Sequence, residues 1–275
     1  MFMWCRELYT YISTELRELD PEELNAFLDA FTKHILDLVK SPDTSSKLGG
    51  ILAIVALINA EACNTGDRIS RFGNYLRNNC LAGQATAYSN SDYTDGKTVA
   101  DAAVIELASK AIARLMQVSG AYTVNLKLDL IDHEMKRSIE VLQGGAAGQG
   151  QQRNESRRYA AVLVLREIAF SMPTFFFQVI YTVHTFQAEV LRRVDDVPIS
   201  HSSQNVNNFF RVIFSGIADP NQLLREASVN TLRAALVLVA QRETTRQSRN
   251  SQHNAWYEHV YNLFITLDPR RLRSF

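Results

Sequence analysis

Residues 47–59 read KLGGILAIVALIN, a stretch whose apolar side chains would cover more than one face of a helix. Three later blocks share this character: residues 106–118 (ELASKAIARLMQV), 155–170 (ESRRYAAVLVLREIAF) and 224–240 (LREASVNTLRAALVLVA). Each block is rich in alanine and leucine, and none contains proline. A helix that is apolar on several sides must be covered by several neighbours. Four such blocks in series predict an all-α fold of stacked helical repeats.

The residues around the first block predict a helix pair. Asp20 and Pro21 suit the cap and the first position of a helix, and Glu23 completes a capping box. That helix would end at the break formed by residues 41–43 (SPD), directly ahead of the first block. Residues 20–59 are therefore predicted to form two antiparallel helices joined by a short turn.

Helical periodicity extends to the stretches between the other blocks. Further helices are predicted at residues 68–78, 122–142 and 205–218. Asp219 and Pro220 are expected to be the cap and the first residue of the helix that contains the fourth block. Together with the four blocks, these helices make an α-solenoid of antiparallel helix pairs the expected architecture.

The spacing of the blocks indicates a regular repeat. Leu57, Leu115, Ile168 and Leu236, taken as equivalent positions, lie 58, 53 and 68 residues apart. Three stretches are predicted as loops or insertions: residues 82–97, 144–153 and 179–204. Without them each separation falls to about 42 residues, close to the roughly 40–47 of HEAT and armadillo arrays. The chain is thus predicted to be one solenoid segment, residues 1–275, with a less regular tail at 242–275.

Small residues recur near the start of three blocks, each two positions after a basic residue. The pairs are Lys47 with Gly49, Arg158 with Ala160, and Arg225 with Ala227. Because small residues let helices approach closely, we predict that neighbouring helices cross at Gly49, Ala160 and Ala227.

The composition argues against several classes of partner. Lysine plus arginine and aspartate plus glutamate both number 29, so the net charge is zero and no nucleic-acid binding is predicted. Arginine clusters at residues 153–158, 242–249 and 270–273 are expected to be solvated helix ends or tails. The three cysteines are too few and too scattered for a disulfide framework or a zinc site. The longest apolar stretch, residues 48–63, is interrupted and falls short of the roughly 20 apolar residues of a membrane span.

Motifs for catalysis are missing from the sequence. It has no GxxxxGK[ST] phosphate-binding loop and neither the HRD nor the DFG motif of a kinase. His133 and Glu134 begin a near match to the HExxH zinc helix, but Arg137 stands where the second histidine would be. We therefore predict no catalytic, cofactor-binding or metal-binding residue in this chain.

Two aromatic groups are the candidates for partner binding. The first is the phenylalanine run at residues 175–177, and the second comprises Trp256, Tyr257 and Tyr261. Large aromatic side chains serve both as interface anchors and as core between repeats, and we favour core packing for both groups. The sequence does not identify individual partner-binding residues.

Several stretches together resemble a known family. They are 47–58 (KLGGILAIVALI), 68–78 (RISRFGNYLRN), 107–115 (LASKAIARL), 154–178 (NESRRYAAVLVLREIAFSMPTFFFQ) and 224–243. These residues are similar to the N-terminal HEAT region of the target of rapamycin kinases, which are very large Ser/Thr kinases of the phosphatidylinositol-3-kinase-related class. The resemblance covers nearly the whole chain, and RRYAAVLVLRE followed by PTFFFQ is far more specific than HEAT composition alone.

The resemblance implies that the chain is a fragment that lacks the kinase domain. It implies a scaffold that contacts raptor-like or other regulatory subunits, and self-dimerisation through the parent kinase. No nucleic-acid binding and no membrane insertion are implied. ATP and Mg²⁺ would belong only to the absent kinase domain, so no cofactor is expected in this segment. The expected location is cytoplasmic, with recruitment to the lysosomal surface or the nucleus as part of the complex.

The chain departs from the family pattern in two places. Residues 82–97 are longer than expected, and residues 179–204 interrupt what should be a continuous helix pair. The second stretch is either a loop insertion or a translated intron. The alternative function is a stand-alone HEAT or armadillo adaptor, or a truncated decoy without a kinase domain. An enzyme in its own right is the least favoured reading, because the motifs for catalysis are missing.

Overall fold

The computed structural model describes residues 2–14, 18–60, 66–82, 101–119, 124–144, 154–171 and 202–247. These residues form nine α-helices and no strand. The helices are α1 (Phe2–Thr14), α2 (Pro21–Lys40), α3 (Thr44–Asn59), α4 (Gly66–Leu76), α5 (Ala102–Ser119), α6 (Val124–Gly144), α7 (Glu155–Ser171), α8 (Ser202–Ile217) and α9 (Gln222–Gln247). A turn of π-helix, Arg77–Leu81, continues α4. The prediction of an all-α fold is confirmed.

The helices are arranged in two rows. The first row consists of α2, α4, α6 and α8. The second row consists of α3, α5, α7 and α9, which contact one another in that order. Each first-row helix packs against the second-row helix that follows it in the chain. Helix α1 packs on α3 at one end of the array. Alternation between two rows, with contacts mainly between neighbours, is the architecture of an α-solenoid.

The four apolar blocks of the sequence lie in the second-row helices. A second-row helix packs against neighbouring helices of its own row and also against a first-row helix. It therefore needs apolar side chains around most of its circumference. In α7 the eight consecutive residues from Arg158 to Leu165 are all buried. First-row helices are amphipathic instead: α2 buries Leu28, Ile35 and Val39 and exposes its opposite face.

The predicted helix pair at residues 20–59 is present as α2 and α3. The Asp20 carboxylate accepts the backbone N–H of Glu22 at 3.3 Å, and Pro21 is the first helical residue. Asp43 caps α3, because its carboxylate accepts the N–H and the hydroxyl of Ser46 at 2.7 and 2.8 Å. The hydrogen bond from the Ser46 backbone N–H, which is the larger cause, and the bond from the Ser46 hydroxyl lower the pKa of Asp43 below its usual value.

The structure defines a common register for the second row. The residue before each helix is an aspartate or asparagine, namely Asp43, Asp101, Asn154 and Asn221. The fourteenth helical residue is then Leu57, Leu115, Ile168 or Ala235, each at most 2% exposed. The choice of Leu236 as the fourth equivalent position was therefore wrong by one residue, since Leu236 is only half-buried.

The predicted cap of the fourth block was also misplaced. Helix α9 begins at Gln222 rather than at Pro220, and the side-chain oxygen of Asn221 accepts the N–H of Leu224 at 3.3 Å. Asp219 instead accepts the N–H of Asn221 at 2.9 Å, which makes a turn between α8 and α9. Asparagine and aspartate both suit such positions, so composition alone does not separate them.

Predicted loops and insertions fall mainly outside the described residues. Ala82 ends the π-helical turn and Gly144 ends α6, while residues 83–97, 145–153 and 179–201 are not described. Helix α8 includes Ser202, Ser203 and Gln204, which the sequence had placed in the last loop. Helix α9 likewise runs six residues into the stretch predicted as a tail, so these residues continue that helix.

Small residues mark the crossings of α2 with α3 and of α8 with α9, in each case one position after the predicted Gly49 or Ala227, while the crossing at Ala160 stays a prediction. A Cβ added at Gly50 would lie 2.9 Å from Val39 Cγ2 and 3.0 Å from the Val39 nitrogen on α2. Gly49 has open space around it, so the prediction of a crossing at Gly49 was wrong. Helices α8 and α9 repeat the pattern, because a Cβ on Gly216 would collide with Ser228. Gly50 and Ser228 are both the seventh residue of their helices.

Candidate interaction surface

Basic side chains connect three second-row helices to the ends of first-row helices. The fourth residue of α3 is Lys47, whose ammonium donates to the Asn79 carbonyl at 3.2 Å. The fourth residue of α7 is Arg158, and its guanidinium lies 2.7 Å from the Asp219 carboxylate. The fourth residue of α9, Arg225, donates to carbonyl oxygens of the turn that precedes its helix. All three bind polar groups where a first-row helix ends.

Helix α5 does not follow this pattern. Its fourth residue is Ile105, which is 2% exposed and lies in the apolar core. Asp101, ahead of the helix, has a φ of 52° and accepts the hydroxyl of Thr44 on α3 at 2.9 Å. Aspartate tolerates this left-handed conformation better than most residues. The bond from Thr44 to Asp101 therefore links α3 to the start of α5, while the fourth position of α5 is apolar.

The junction of α7, α8 and α9 contains a buried ion cluster. Arg158 contacts Asp219 at 2.7 Å and Glu155 at 3.4 Å, and all three residues are less than 10% exposed. Burial imposes a desolvation penalty on both charges, and removing one partner destabilises the fold further because it leaves the other charge buried without compensation. Arg158 was expected to be a solvated helix-end residue, and that interpretation was wrong. Its neighbour Arg157 is exposed, as expected.

The near match to a zinc helix is part of a second ion cluster. Glu134 on α6 is 1% exposed and binds Arg77 of the π-helical turn. Arg137 lies 3.5 Å from the other oxygen of the same carboxylate. Burial, together with the nearby charges of Arg77 and Arg157, lowers the pKa of Arg137, while Glu134 opposes this shift. Glu134 therefore links α4 to α6, and His133 beside it is exposed.

Two further titratable groups are held neutral by the packing. The hydroxyl of Tyr159 on α7 donates to the Glu106 carboxylate on α5 at 2.8 Å, and burial followed by this bond raises the pKa of Tyr159. Burial raises the pKa of the Cys80 thiol to about 11, so Cys80 is a poor nucleophile at neutral pH.

Most of the large apolar side chains exposed among the described residues lie on α1 and α9, the first and last described helices. They are Tyr9 and Tyr11 on α1 and Leu223, Val229 and Val237 on α9; Leu38 on α2 and Phe170 on α7 are also exposed. The eighth residue of α3, α5 and α7 is fully buried, whereas the eighth residue of α9, Val229, is 49% exposed. The flank of α9 that would face a further second-row helix is thus open among the described residues. Single exposed apolar residues are common, but several on one flank are characteristic of contact surfaces.

Sequence reasoning predicted no site residue, and the ion clusters at Glu134 and Asp219 were missed. One sequence signal marks the basic residues but not their partners: Asp43 precedes Lys47, Asn154 precedes Arg158 and Asn221 precedes Arg225, each by four residues. Within the described ranges, no three His, Cys, Asp or Glu side chains are grouped closely enough to hold a metal ion. None of the helices described is sufficiently long and apolar to span a bilayer. The two aromatic candidate groups lie outside the described residues.

Comparison with known proteins gives a consistent set of relatives. The chain is 34% identical over 94% of its length to the Ser/Thr-protein kinase mTor of Drosophila melanogaster. It is 27% identical over 88% of its length to the Ser/Thr-protein kinase tor1 of Schizosaccharomyces pombe. It is 28% identical over 96% of its length to the target of rapamycin homolog of Caenorhabditis elegans. No family model matches the chain.

In each of these three comparisons the chain spans about 8% of the relative's length. The three alignments cover 94%, 88% and 96% of this chain, and the nine described helices contain none of the kinase motifs. By sequence and by fold, the chain therefore belongs to the target of rapamycin family as a helical segment that lies outside the kinase domain.

Proposed function

We propose that this chain is a scaffold segment of a target-of-rapamycin-like Ser/Thr kinase. It would supply contact surface for assembly of a growth- and nutrient-signalling complex and would carry out no catalysis itself. The observation that supports this most is the use of its buried charges. Glu134, Glu155 and Asp219 are all paired with arginines at helix junctions, where they hold the array in one shape. A fixed extended surface is what solenoids offer to partners.

The partners that this proposal requires are other subunits of the complex. They are raptor-like or other regulatory subunits, and a second copy of the parent kinase in a dimer. ATP and Mg²⁺ would act only in a kinase domain elsewhere in such a parent. The proposed location is the cytoplasm, with recruitment of the assembled complex to the lysosomal surface or the nucleus.

Exposed aromatic side chains are the best anchors for such contacts among the described residues. Phe170, at the last turn of α7, is 59% exposed, and Tyr11 on α1 is 49% exposed. Aromatic residues supply a large share of the binding energy in protein interfaces because they bury much area and lose little entropy.

A binding titration tests the proposal. The purified chain is titrated with the purified raptor-type subunit of the same organism, and the heat of binding is recorded. We expect a one-to-one complex with a dissociation constant of about 1 μM or tighter. We further expect Phe170→Asp or Tyr11→Asp to weaken binding by about tenfold or more without lowering the melting temperature.

Arg71→Gln provides a matched control, because Arg71 is an exposed residue of the first-row helix α4. This variant should bind as the unmodified chain does. If no complex forms at concentrations of about 50 μM, the raptor contact is contradicted, and the adaptor or decoy function becomes the better description. If both aromatic variants bind unchanged, Phe170 and Tyr11 are excluded as its anchors.

A further inference from the structure

A small cleft lies between α6, α7 and the π-helical turn, with a volume of about 10 Å³, which is room for about one water molecule. Its floor is apolar and is formed by Leu81, Val141, Ala160, Ala161 and Val164. Its polar residues are Arg137, Arg157 and Ser138. A basic rim over an apolar floor distinguishes this cleft from the buried ion cluster of Arg158, where the charges are matched by carboxylates.

The charges around the cleft do not balance. The guanidinium groups of Arg77 and Arg157 both act on that of Arg137, and Glu134 binds Arg77 and Arg137. Counted over these described residues, three positive charges face one carboxylate, which leaves an excess of two positive charges. The other described carboxylates of α6 and α7 near the rim are paired elsewhere or exposed: Asp132 with Lys136, Glu155 with Arg158, Glu167 with Arg166, and Glu140 in solvent.

The two rim arginines have donors to spare. Arg137 spends one N–H on Glu134 at the long distance of 3.5 Å, and Arg157 makes no ion pair with a described residue. A guanidinium carries five N–H donors, so most of theirs remain for a ligand. Arg157 is also the third residue of α7, where the helix dipole favours a negative charge.

We propose that this cleft binds a phosphorylated side chain of a protein partner. A phosphate monoester carries about 1.5 to 2 negative charges and three acceptor oxygens, which match the excess charge and the free donors. The cleft is too small to enclose a free small molecule, since ligand pockets usually measure about 300–1,000 Å³. The phosphate would therefore lie at the rim, on the guanidinium groups of Arg137 and Arg157. The proposal rests on the scaffold function, because a partner of the scaffold would carry the phosphate.

The test uses the whole chain and three probes at constant ionic strength. They are the peptide acetyl-Ala-phosphoSer-Ala-amide, the same peptide without phosphate, and inorganic phosphate. Calorimetric titration should show binding of the phosphopeptide that is about tenfold or more tighter than that of either other probe. Arg157→Gln should weaken phosphopeptide binding by about tenfold, because one charge-assisted contact is lost at an exposed position where folding is not at risk.

Arg71→Gln removes the same charge from an exposed arginine of α4 and should leave phosphopeptide binding unchanged. Equal binding of the phosphorylated and unphosphorylated peptides would overturn the proposal. So would equal losses in the Arg157 and Arg71 variants, which would indicate general charge attraction. Inorganic phosphate binding as tightly as the phosphopeptide would overturn the assignment to a protein side chain. None of these outcomes bears on the raptor titration, so the two proposals fail separately.

Discussion

The junction of α3 with α5 and the junction of α7 with α9 are built on the same register but held by different chemistry. In both, second-row helices pack side by side through apolar residues. At α7 and α9, the buried Arg158 and Asp219 join two consecutive helix pairs. At α3 and α5, Lys47 binds only a carbonyl, and Ile105 occupies the equivalent position of α5. The comparison shows that shape and apolar burial define the repeat, while charge is an addition that single junctions can omit.

The most direct test of this comparison is to substitute the fourth helical residue at both junctions, Arg158 in α7 and Lys47 in α3. Arg158→Met keeps an apolar stem but removes the guanidinium that binds the buried carboxylates of Asp219 and Glu155, so we expect a loss of about 3–5 kcal/mol in the free energy of unfolding. Lys47→Met loses one hydrogen bond to a carbonyl and should cost about 1 kcal/mol. Denaturant titration of both variants measures the difference.

The double variant Arg158→Met with Asp219→Leu should recover part of that loss, because it removes a buried charge together with its former partner. Equal costs for the two single variants would show that the ion cluster contributes no more than the hydrogen bond at Lys47.

Two adjacent glycines in α3 test whether close helix approach is the common element of the repeat. Gly50→Ala puts a methyl group against Val39, including its backbone nitrogen, and should destabilise the chain by about 1–3 kcal/mol. Gly49→Ala meets nothing within 4 Å and should stabilise it by up to about 1 kcal/mol through helix propensity. Thermal melts of the two variants should therefore shift in opposite directions, and a shift in the same direction would contradict the crossing at Gly50.

The bond between α5 and α7 gives a smaller effect that depends on pH. Tyr159 is held protonated in the folded chain, while the unfolded chain releases this proton near pH 10. The folded state therefore loses stability as the pH rises above about 10. In Tyr159→Phe this decline should be shallower, by less than about 1 kcal/mol per pH unit, because Glu106 is exposed and its charge is screened. Identical slopes in the two chains would refute the raised pKa.

Asp43 gives the smallest expected effect, and its contribution to stability is lost at low pH, whereas that of Tyr159 is lost at high pH. Its pKa is lowered in the folded chain, so its contribution is present above the unfolded value near 3.8 and is lost as the pH falls through the folded pKa. Asp43→Asn keeps a capping oxygen but cannot titrate. The variant should lose slightly less stability than the unmodified chain when the pH is lowered from 5 to 3, as measured by denaturant midpoints.

Much of the fold could be predicted from the sequence because apolar periodicity determines which helices need cover on several sides. The pair α2 and α3 was predicted in full, since Asp20 and Pro21 are strong start signals and Pro42 is a strong stop. The exact register was harder. Asp219 and Asn221 are both good caps, and Leu236 is larger and more apolar than Ala235, yet Ala235 is the residue at the fourteenth position.

The buried charges could not be predicted, because their partners lie far away in the sequence. Arg158 and Asp219 are 61 positions apart, and Arg77 and Glu134 are 57 apart. A basic residue near a helix start is usually solvated, and only the packing of three helices removes water from Arg158. The uneven charge around Arg157 likewise depends on the approach of the π-helical turn to α6.

The single-file contact order of α3, α5, α7 and α9 has a mechanical consequence. A tension applied along the second row passes through each junction in turn, so the compliances of the junctions add as springs in series. The extension of the whole row is then the sum of the extensions at its junctions, and the row fails first at the junction that is held most weakly. Because the fourth residue of α5 is the apolar Ile105, where α3, α7 and α9 have a basic residue, we expect such a rod to bend or part first at the junctions of α5.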